Sequence, residues 1–280
     1  MGSLLLNSPY KPSQPDLEQK YFVNSYKVEE TDVLYGKVWE IYQYEFDRLP
    51  SNTITVLPDG LIELVFNFKD GQADSYLVLA STESSRIEVG YSESGFGIRF
   101  VPGWLGQVQN PPLSSSRKIL NGLTYINSEE VISNFDVLFQ KVISTHSFEQ
   151  RVEYCKAFFG GIEQVENDQA ELARQACLYL INHNGNKTIS DLEKYMGYSS
   201  RYIRKLFGEF IGYSPKTMNE IIKFQHSFHH FSAEPHRSLS DLACEFGYYD
   251  ISHMNRAYIK LAKQLPKSLY RNFYAEKKFE

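Results

Sequence analysis

The chain has 280 residues, of which 42% are hydrophobic and 15% aromatic, which supports folded cores and excludes an intrinsically disordered protein. Three dispersed cysteines, Cys155, Cys177 and Cys244, exclude a disulfide framework and are typical of a reducing cytoplasm. The net charge of −5 by itself argues against nucleic-acid binding. We expect no membrane span and no signal peptide, because the apolar run Leu4–Leu6 is far too short.

The N-terminal half is predicted to be rich in β-structure. Residues 1–20 are punctuated by Ser, Pro, Asn and Lys and are predicted to form a loose arm. Turn signals at Pro58–Gly60 and Lys69–Gly71 then separate short runs of β-branched and aromatic residues. Such a series of short strands is typical of a small barrel or sandwich. The predicted strands are residues 37–46, 53–57, 61–68, 76–79, 86–89 and 95–101.

Helices are predicted to follow the strands at 129–144 and 148–159, and a polar stretch after Gly160-Gly161 predicts a domain boundary. We therefore expect one domain over 1–165 and a second over 166–280, opened by a helix at 169–183.

The net charge is divided unevenly between the two halves. Residues 1–167 hold 13 basic and 22 acidic side chains, net −9, whereas the rest holds 16 and 12, net +4. The C-terminal half is therefore the part suited to a phosphate backbone.

The C-terminal half contains one short pattern twice. TISDLEKYMGY begins at Thr188, and SLSDLACEFGY begins 50 residues later at Ser238. In each copy a hydroxyl residue followed three positions later by aspartate predicts a helix start, and Gly197 or Gly247 predicts its end. Ser199 is placed to begin the next helix in the first copy. Each copy is thus predicted to form helix, tight turn and helix, which is the helix-turn-helix motif.

The region from about 168 to 273 resembles the AraC/XylS family of transcriptional regulators, in which a long helix joins two helix-turn-helix units. The second unit carries Gly247-Tyr248, Ser252, Met254, Arg256, Tyr258, Pro266 and Tyr270-Arg271, and the first carries Gly197-Tyr198-Ser199, Ile203, Lys205, Phe207, Gly212 and Pro215. The sequence departs from the family pattern at four positions. Glu193 replaces a small residue, Lys263 a turn glycine, Lys205 an arginine and Ile259 a lysine.

The N-terminal half is similar to the cupin-like sensor domains that precede the DNA-binding half in this family. The similarity lies in Leu57–Gly60, Glu63–Phe66 and Gly97–Gly103. The expected fold class is therefore α+β: a cupin-like barrel or sandwich with trailing helices, then an all-α domain of two joined helix-turn-helix units. The resemblance implies a cytoplasmic, nucleoid-associated bacterial regulator that binds promoter or operator DNA. It also implies an N-terminal domain that senses a small molecule or a partner, dimerisation through that domain, and contact with RNA polymerase. The sequence leaves open whether it is an activator or a repressor.

DNA-contacting residues are predicted on the second helix of each unit, which enters the major groove in this motif. In the first unit Arg201, Arg204 and Lys205 share an exposed face, and arginine can donate twice to guanine. In the second unit the corresponding helix, about 250–261, exposes polar residues at the positions that contact bases in the family. The predicted DNA-binding residues are Ser199, Ser200, Arg201, Arg204, Lys205, Ser252, His253, Asn255 and Arg256.

No catalytic, cofactor or metal site is predicted. A metal-dependent cupin needs clustered histidines, and His146 is the only histidine before residue 168. His226, His229 and His230 have helical spacing, but a solvated or DNA-facing helix explains them better than a metal site. Two enzymatic alternatives stay open: a DNA-repair alkyl-transfer protein, which needs an activated exposed cysteine, and a carbohydrate-related cupin enzyme.

The sequence also leaves the use of the N-terminal half open. Asp59, Glu63 and Arg99 either form a polar cluster in a pocket or are a turn aspartate, a solvated charge and an ion pair. Seven aromatic residues of this half either line a ligand cavity or form the core. They are Trp39, Tyr42, Tyr44, Phe66, Phe96, Phe100 and Trp104.

Overall fold

The computed structural model describes residues 10, 12–46, 53–88, 93–105, 118–120, 123–162 and 167–274. Within these ranges the N-terminal half contains nine strands and the C-terminal half is helical, which confirms the α+β fold class. The predicted boundary at 165/166 lies outside the described residues and stays a prediction. No helix of the described part is long and apolar enough to cross a lipid bilayer.

The strands form two sheets. Seven of them make one antiparallel sheet in the order β1-β2-β7-β4-β5-β9-β8, and β3 pairs with β6 in a second, two-stranded sheet. A two-residue turn at Asp70-Gly71, both with positive φ, joins β4 to β5 as predicted. The strands are β1 Phe22–Lys27, β2 Val38–Phe46, β3 Thr53–Val56, β4 Ile62–Lys69, β5 Gln72–Val78, β6 Ser85–Glu88, β7 Glu93–Phe100, β8 Lys118–Leu120 and β9 Leu123–Asn127.

The two faces of the large sheet have different partners. One face carries Leu64, Phe66 and Ile98 and packs on α2 and α3, where the rings of Phe66 and Phe135 stack at 5.8 Å. The other face carries Tyr42, Tyr44 and Val65 and is covered by the β3–β6 sheet. The predicted sandwich is therefore present, with its helices on the outer face of the larger sheet. The helices are α1 Pro15–Lys20, α2 Phe135–Ile143, α3 Phe148–Gly160, α4 Asp168–Asn182, α5 Ile189–Met196, α6 Ser200–Phe210, α7 Pro215–Ala233, α8 Leu239–Glu245, α9 Ile251–Ala262 and α10 Pro266–Tyr274.

The described part of the N-terminal arm is the main error of the sequence prediction, whereas residues 1–9 and 11 lie outside the described residues. Residues 15–20 form helix α1, with proline at its first position and Leu17 buried beneath the strands. Tyr10 and Gln14 are also buried, although their surroundings in the sequence are polar. These residues pack against the turn after β3 and against α7, and such long-range contacts leave no periodic signal in the arm itself.

Three strands and one helix boundary were also missed. β1 has too little apolar alternation to be recognised, because most of its residues are exposed at the edge of the sheet. β8 and β9 are short and lie next to turn residues. The helix predicted at 129–144 is a 3₁₀ turn at Ser128–Glu130 followed by α2, because Asn134 has a left-handed conformation with φ of 57°.

Candidate nucleic-acid interface

The first helix-turn-helix unit consists of α5 and α6. The Thr188 hydroxyl accepts from Asp191 N at 3.1 Å, and the Asp191 carboxylate accepts from Thr188 N at 2.9 Å, which confirms the predicted capping box. The Thr188 hydroxyl also donates to the Asp191 carboxylate at 2.7 Å, and this bond, together with the one from Thr188 N, lowers the pKa of Asp191. Gly197 ends α5 with φ of 72°, and Ser199 caps α6 through a bond from Tyr202 N.

Helix α6 presents a basic face to solvent. Arg201, Arg204 and Lys205 are exposed, whereas Ile203, Leu206 and Phe207 are buried in the core of this unit. Arg204 Nη2 donates to the Ser200 hydroxyl at 3.2 Å, and Lys205 pairs loosely with Glu209 at 3.8 Å. These weak contacts leave both side chains free to turn towards an anionic partner, since exposed pairs of this kind contribute little energy.

The second unit consists of α8 and α9. The Ser238 hydroxyl accepts from Ser240 N, one position earlier than a capping box requires, so the predicted box is not reproduced in this copy. Gly247 has φ of 68°, as predicted, and a Cβ there would lie 2.3 Å from the amide oxygen of Asn186. Asp250 caps α9 by accepting from His253 N at 2.7 Å.

The polar residues of α9 are only partly placed as predicted. Ser252, His253 and Arg256 are exposed. Asn255 was expected to be exposed, but it is half-buried, and its side-chain oxygen is buried without a hydrogen-bond partner among the described residues. Asn255 lies directly after the fully buried Met254, so its side chain leaves the helix at the edge of the core.

Two departures from the family pattern have structural counterparts. Glu193 Oε1 accepts from Ser200 N at 2.5 Å, so the acidic side chain satisfies a free N–H at the start of α6. Lys263 ends α9 in the left-handed region with φ of 58°, the conformation for which glycine is preferred. Its ammonium forms an ion pair with Glu83 of the N-terminal half.

Tyr249 was missed by the sequence reasoning and is a further candidate for contact with DNA. It lies directly before the N-cap of α9, and its side chain is 92% exposed, unlike that of its buried neighbour Tyr248. Its ring is therefore accessible beside the start of the helix that enters the major groove in this motif. The sequence does show two consecutive tyrosines here, but only Tyr248 has a counterpart in the first copy of the repeat, so Tyr249 was not singled out.

Helix α7 joins the two units and carries the predicted histidine face. His226 was expected to be solvated or DNA-facing, but it is buried and packs against Tyr10 at 5.3 Å between ring centroids. Burial, together with His230 and His229, lowers the pKa of His226 to about 4. This histidine is therefore neutral near pH 7. No group of metal-ligating side chains was found within the described ranges.

The turn between β3 and β4 joins the two halves of the chain through its carbonyl groups. Leu57 O accepts from Gln14 at 2.6 Å and Asp59 O accepts from Tyr10 at 2.7 Å, both from the N-terminal arm. Two further carbonyls of the turn accept from the helical half. Pro58 O accepts from Gln225 of α7 at 2.9 Å, and Gly60 O accepts from Tyr213 at 3.2 Å. We call residues 57–61 the bridging turn.

A second contact fixes the end of α9. Ser84 N donates to Leu261 O at 2.6 Å, beside the Glu83–Lys263 ion pair. The N-terminal half therefore contacts the linking helix through the bridging turn and the second unit through the residues before β6.

The side chains of the bridging turn face a cavity of about 1100 Å³ between the two sheets. Asp59, Glu63 and the rings of Tyr42 and Tyr44 line it, whereas Phe66, Phe96, Phe100 and Trp104 belong to the core on the other face. The sequence had left both uses of the aromatic residues open, and the structure divides them between the two faces of the sheet.

Asp59, Glu63 and Arg99 come together as a polar cluster. Arg99 Nε donates to Glu63 at 2.6 Å and Nη1 to Glu40 at 3.2 Å, and Glu18 lies 3.7 Å away. Arg99 is fully buried, and its Nη2 has no hydrogen-bond partner among the residues described. Burial raises the pKa of Asp59 to about 6, although Arg99 offsets part of this effect.

The cysteines do not form the activated site that alkyl transfer requires. Cys155 and Cys177 are buried in the two cores, and burial raises the pKa of both thiols. A buried thiol with a raised pKa is a poor nucleophile. Cys244 is exposed on α8.

Comparison with known proteins identifies the C-terminal region. Residues 192–272 match a family model described as a helix-turn-helix domain. No match to a curated protein was found. Among solved structures, the chain is similar to the unsaturated fatty acid-bound wild-type ToxT from Vibrio cholerae strain SCE256, with 13% identity, 90% of this chain and 96% of that chain covered, and a TM-score of 0.38.

A second similar structure is ToxT from Vibrio cholerae O395 bound to (E)-4-(8-methylnaphthalen-1-yl)but-3-enoic acid. The identity is again 13%, with 91% of this chain and 100% of that chain covered and a TM-score of 0.40. The helix-turn-helix match is the more informative of these findings, because it coincides with the two repeats.

Proposed function

We propose that the chain is a DNA-binding transcription regulator with a C-terminal helix-turn-helix domain of the AraC type, that α6 and α9 read its operator, and that the N-terminal half controls them. The observation that carries the proposal is the repeated unit, with an exposed polar face on the second helix of each copy. Regulators of this class act by binding DNA and have no catalytic step of their own.

Reading of the first groove segment is assigned to α6. Arg201 and Arg204 lie three residues apart on its exposed face, so both can reach the same stretch of base edges or phosphates. Lys205 supplies a further positive charge, and the hydroxyls of Ser199 and Ser200 lie at the N-terminus of the helix, where phosphate groups are commonly held.

Reading of the second segment is assigned to α9. Ser252, His253 and Arg256 form its exposed polar face, and Asn255 contributes its half-buried amide. Two such helices on one chain can occupy major-groove segments about ten base pairs apart on one side of the duplex. Each monomer therefore recognises an asymmetric site.

Control by the N-terminal half is supported by the bridging turn. Its side chains line the cavity, while its carbonyls bond to Gln225 of α7 and to Tyr213. A small molecule in the cavity would change the position of the turn and, with it, the position of the helix that joins the two reading units. We further propose that the protein acts in the bacterial cytoplasm, dimerises and contacts RNA polymerase, as the family resemblance implies.

The test is the binding of a captured genomic duplex by the purified chain over a range of salt concentrations. We expect log K to fall linearly with log salt concentration, as phosphate contacts require. Arg204→Ala and Arg256→Ala should each weaken binding by about 5- to 150-fold if they contact bases, since such contacts contribute about 1–3 kcal/mol. A variant that loses only a phosphate contact should instead show a salt slope smaller by about one.

Arg86→Ala is the matched control, because Arg86 is an exposed arginine on β6 of the N-terminal half. It should bind as the parent does. Equal affinity of parent, Arg204→Ala and Arg256→Ala for specific and scrambled duplexes would contradict the assignment of the reading helices.

A further inference from the structure

The cavity of the N-terminal half has an aromatic wall that two glycines make possible. Tyr42 and Tyr44 of β2 lie over the neighbouring strand β7 at Gly97 and Gly95. A Cβ at Gly97 would lie 2.2 Å from Tyr42 Cζ, and a Cβ at Gly95 would lie 2.2 Å from Tyr44 Cζ. The rings can therefore lie flat against the sheet, where Tyr42 also stacks on Phe22 at 4.6 Å, and both rings contribute to the lining of the cavity.

Apolar side chains complete the middle of the cavity. They come from the small sheet, from β4 and from β5, so the body of a ligand would be enclosed from both sheets. These residues are Ile54, Val56, Val65, Tyr76, Val78 and Ile87. A cavity of about 1100 Å³ has room for a drug-sized molecule with a hydrophobic body.

The buried end of the cavity carries an excess of negative charge. Asp59 is buried there, and Glu63 is half-buried beside it. Arg99 lies behind this end and is already surrounded within 3.7 Å by Glu63, Glu40 and Glu18, of which only Glu63 lines the cavity. Among the described residues, the cavity lining carries the carboxyl groups of Asp59, Glu63, Asp70 and Asp74 against one cation, Lys69, which disfavours an anionic ligand and favours a positive charge.

The hydrogen bonds of this cluster are also incomplete. Arg99 Nη2 is buried and has no acceptor within the part of the chain that the structure describes. A buried donor without a partner is costly, so it calls for a neutral oxygen such as that of water, which adds no negative charge beside the glutamates.

We propose that this cavity binds an organic cation, a protonated or quaternary amine with an apolar and preferably aromatic body. The ammonium lies against Asp59 and Glu63, and the body lies along Tyr42, Tyr44 and the aliphatic wall. Aromatic faces and carboxylates are the groups that hold such cations in proteins. The inference deepens the proposed function, because it names the chemical class of the effector that the N-terminal half senses.

The charge of the ligand would reach the helical half through Asp59. The carboxylate of this residue accepts from Gln14 Nε2 at 2.9 Å and from Leu61 N at 3.0 Å, and its own carbonyl accepts from Tyr10. A cation that binds the Asp59 carboxylate therefore contacts the residue at the centre of the bridging turn.

The test compares three small probes of similar length by calorimetric titration of the full chain at pH 7.5. They are 4-phenylbutylamine, which is a cation, 4-phenylbutan-1-ol, which is neutral, and 5-phenylpentanoate, which is an anion. We expect the amine to bind at least tenfold more tightly than the acid, with the alcohol between them. Equal or tighter binding of the acid, or no binding of the amine, overturns the proposal.

Asp59→Asn should lower the affinity for the amine at least tenfold and leave that for the alcohol within twofold. Asp136→Asn makes the same change at an exposed position of α2 and should change neither affinity. If Asp59→Asn does not fold, the parent chain still gives a decision at pH 5, where protonation of Asp59 should weaken binding of the amine but not of the alcohol. Equal amine affinity at pH 5 and 7.5 would overturn the assignment of Asp59.

DNA affinity of the same preparation, measured without any probe, separates the two proposals. Specific DNA binding with no preference for the amine rejects the cation site and leaves the regulator intact. A preference for the amine without specific DNA binding supports the cavity and contradicts the reading helices.

Discussion

Replacing Gln225 with leucine removes the link between α7 and the bridging turn while nearly preserving side-chain volume. Gln225 is fully buried. Its Nε2 donates to Pro58 O at 2.9 Å, and its Oε1 accepts from Ser13 N at 2.9 Å. In the variant both backbone groups lose these partners. A buried polar group left unsatisfied costs about 1–3 kcal/mol, and Ser13 N, which is only partly buried, should cost less.

We therefore expect Gln225→Leu to lower the free energy of unfolding by about 2–4 kcal/mol. For a slope of about 3 kcal/mol/M, this loss moves the midpoint of urea unfolding by roughly 1 M. Tryptophan fluorescence can follow the transition, since Trp39 and Trp104 lie near the contact between the two halves. Hydrogen exchange should report the same loss as faster exchange at Leu61 N, which closes the bridging turn.

Gln140→Leu is the control, because it makes the same change at an exposed position of α2. Its effect should stay within about 0.5 kcal/mol, as for most surface substitutions. A Gln225→Leu variant that unfolds within 0.5 kcal/mol of the parent, with unchanged exchange at Leu61, would refute the view that Gln225 holds the two halves together.

Three further predictions concern titration, DNA contact and backbone strain. Since the folded pKa of Asp59, about 6, lies above the unfolded value near 3.9, the folded state binds this proton more tightly, and its contribution is lost as pH rises. Between pH 5 and 7.5 this group should lower the free energy of unfolding of the parent by about 1.4 kcal/mol. Urea denaturation of Asp59→Asn at the same two pH values should not show this decrease. Tyr249→Ala should weaken duplex binding several-fold without changing thermal stability, and unchanged binding would exclude its exposed ring from the interface. Lys263→Gly should raise the free energy of unfolding by about 1 kcal/mol, because glycine adopts the left-handed conformation without strain. Loss of the exposed ion pair with Glu83 should offset at most a similar amount. Glu83→Gln measures that loss separately, and a net loss above 1 kcal/mol in Lys263→Gly would contradict this balance.

The helical half could be predicted closely from its sequence because its signals are local. Capping residues, turn glycines and apolar spacing each act within a few positions, and the repetition at Thr188 and Ser238 doubled the evidence. The prediction was wrong where a contact over distance decides the environment. His226 has the spacing of an exposed face, but Tyr10, more than two hundred positions earlier, covers it.

The N-terminal half was predicted less completely. The turns at Pro58–Gly60 and Asp70-Gly71 were recognised from residues that favour positive φ, whereas the edge strand β1 has no alternating pattern to recognise. The cluster around Arg99 was anticipated only as one of two alternatives. Its glutamates lie on β2, β4 and α1, and no spacing in the sequence indicates that these elements converge.

Sequence-specific binding of duplex DNA by both reading helices is the central claim, and capture of sheared genomic DNA by the purified chain tests it most directly. The captured fragments should be sequenced at moderate salt, beside those captured by an Arg204→Ala/Arg256→Ala double variant. We expect strong enrichment of a few promoter sites by the parent and loss of that enrichment in the variant. The same fragments enriched equally by both proteins would contradict it, as would a uniform background for the parent in the presence and absence of 4-phenylbutylamine.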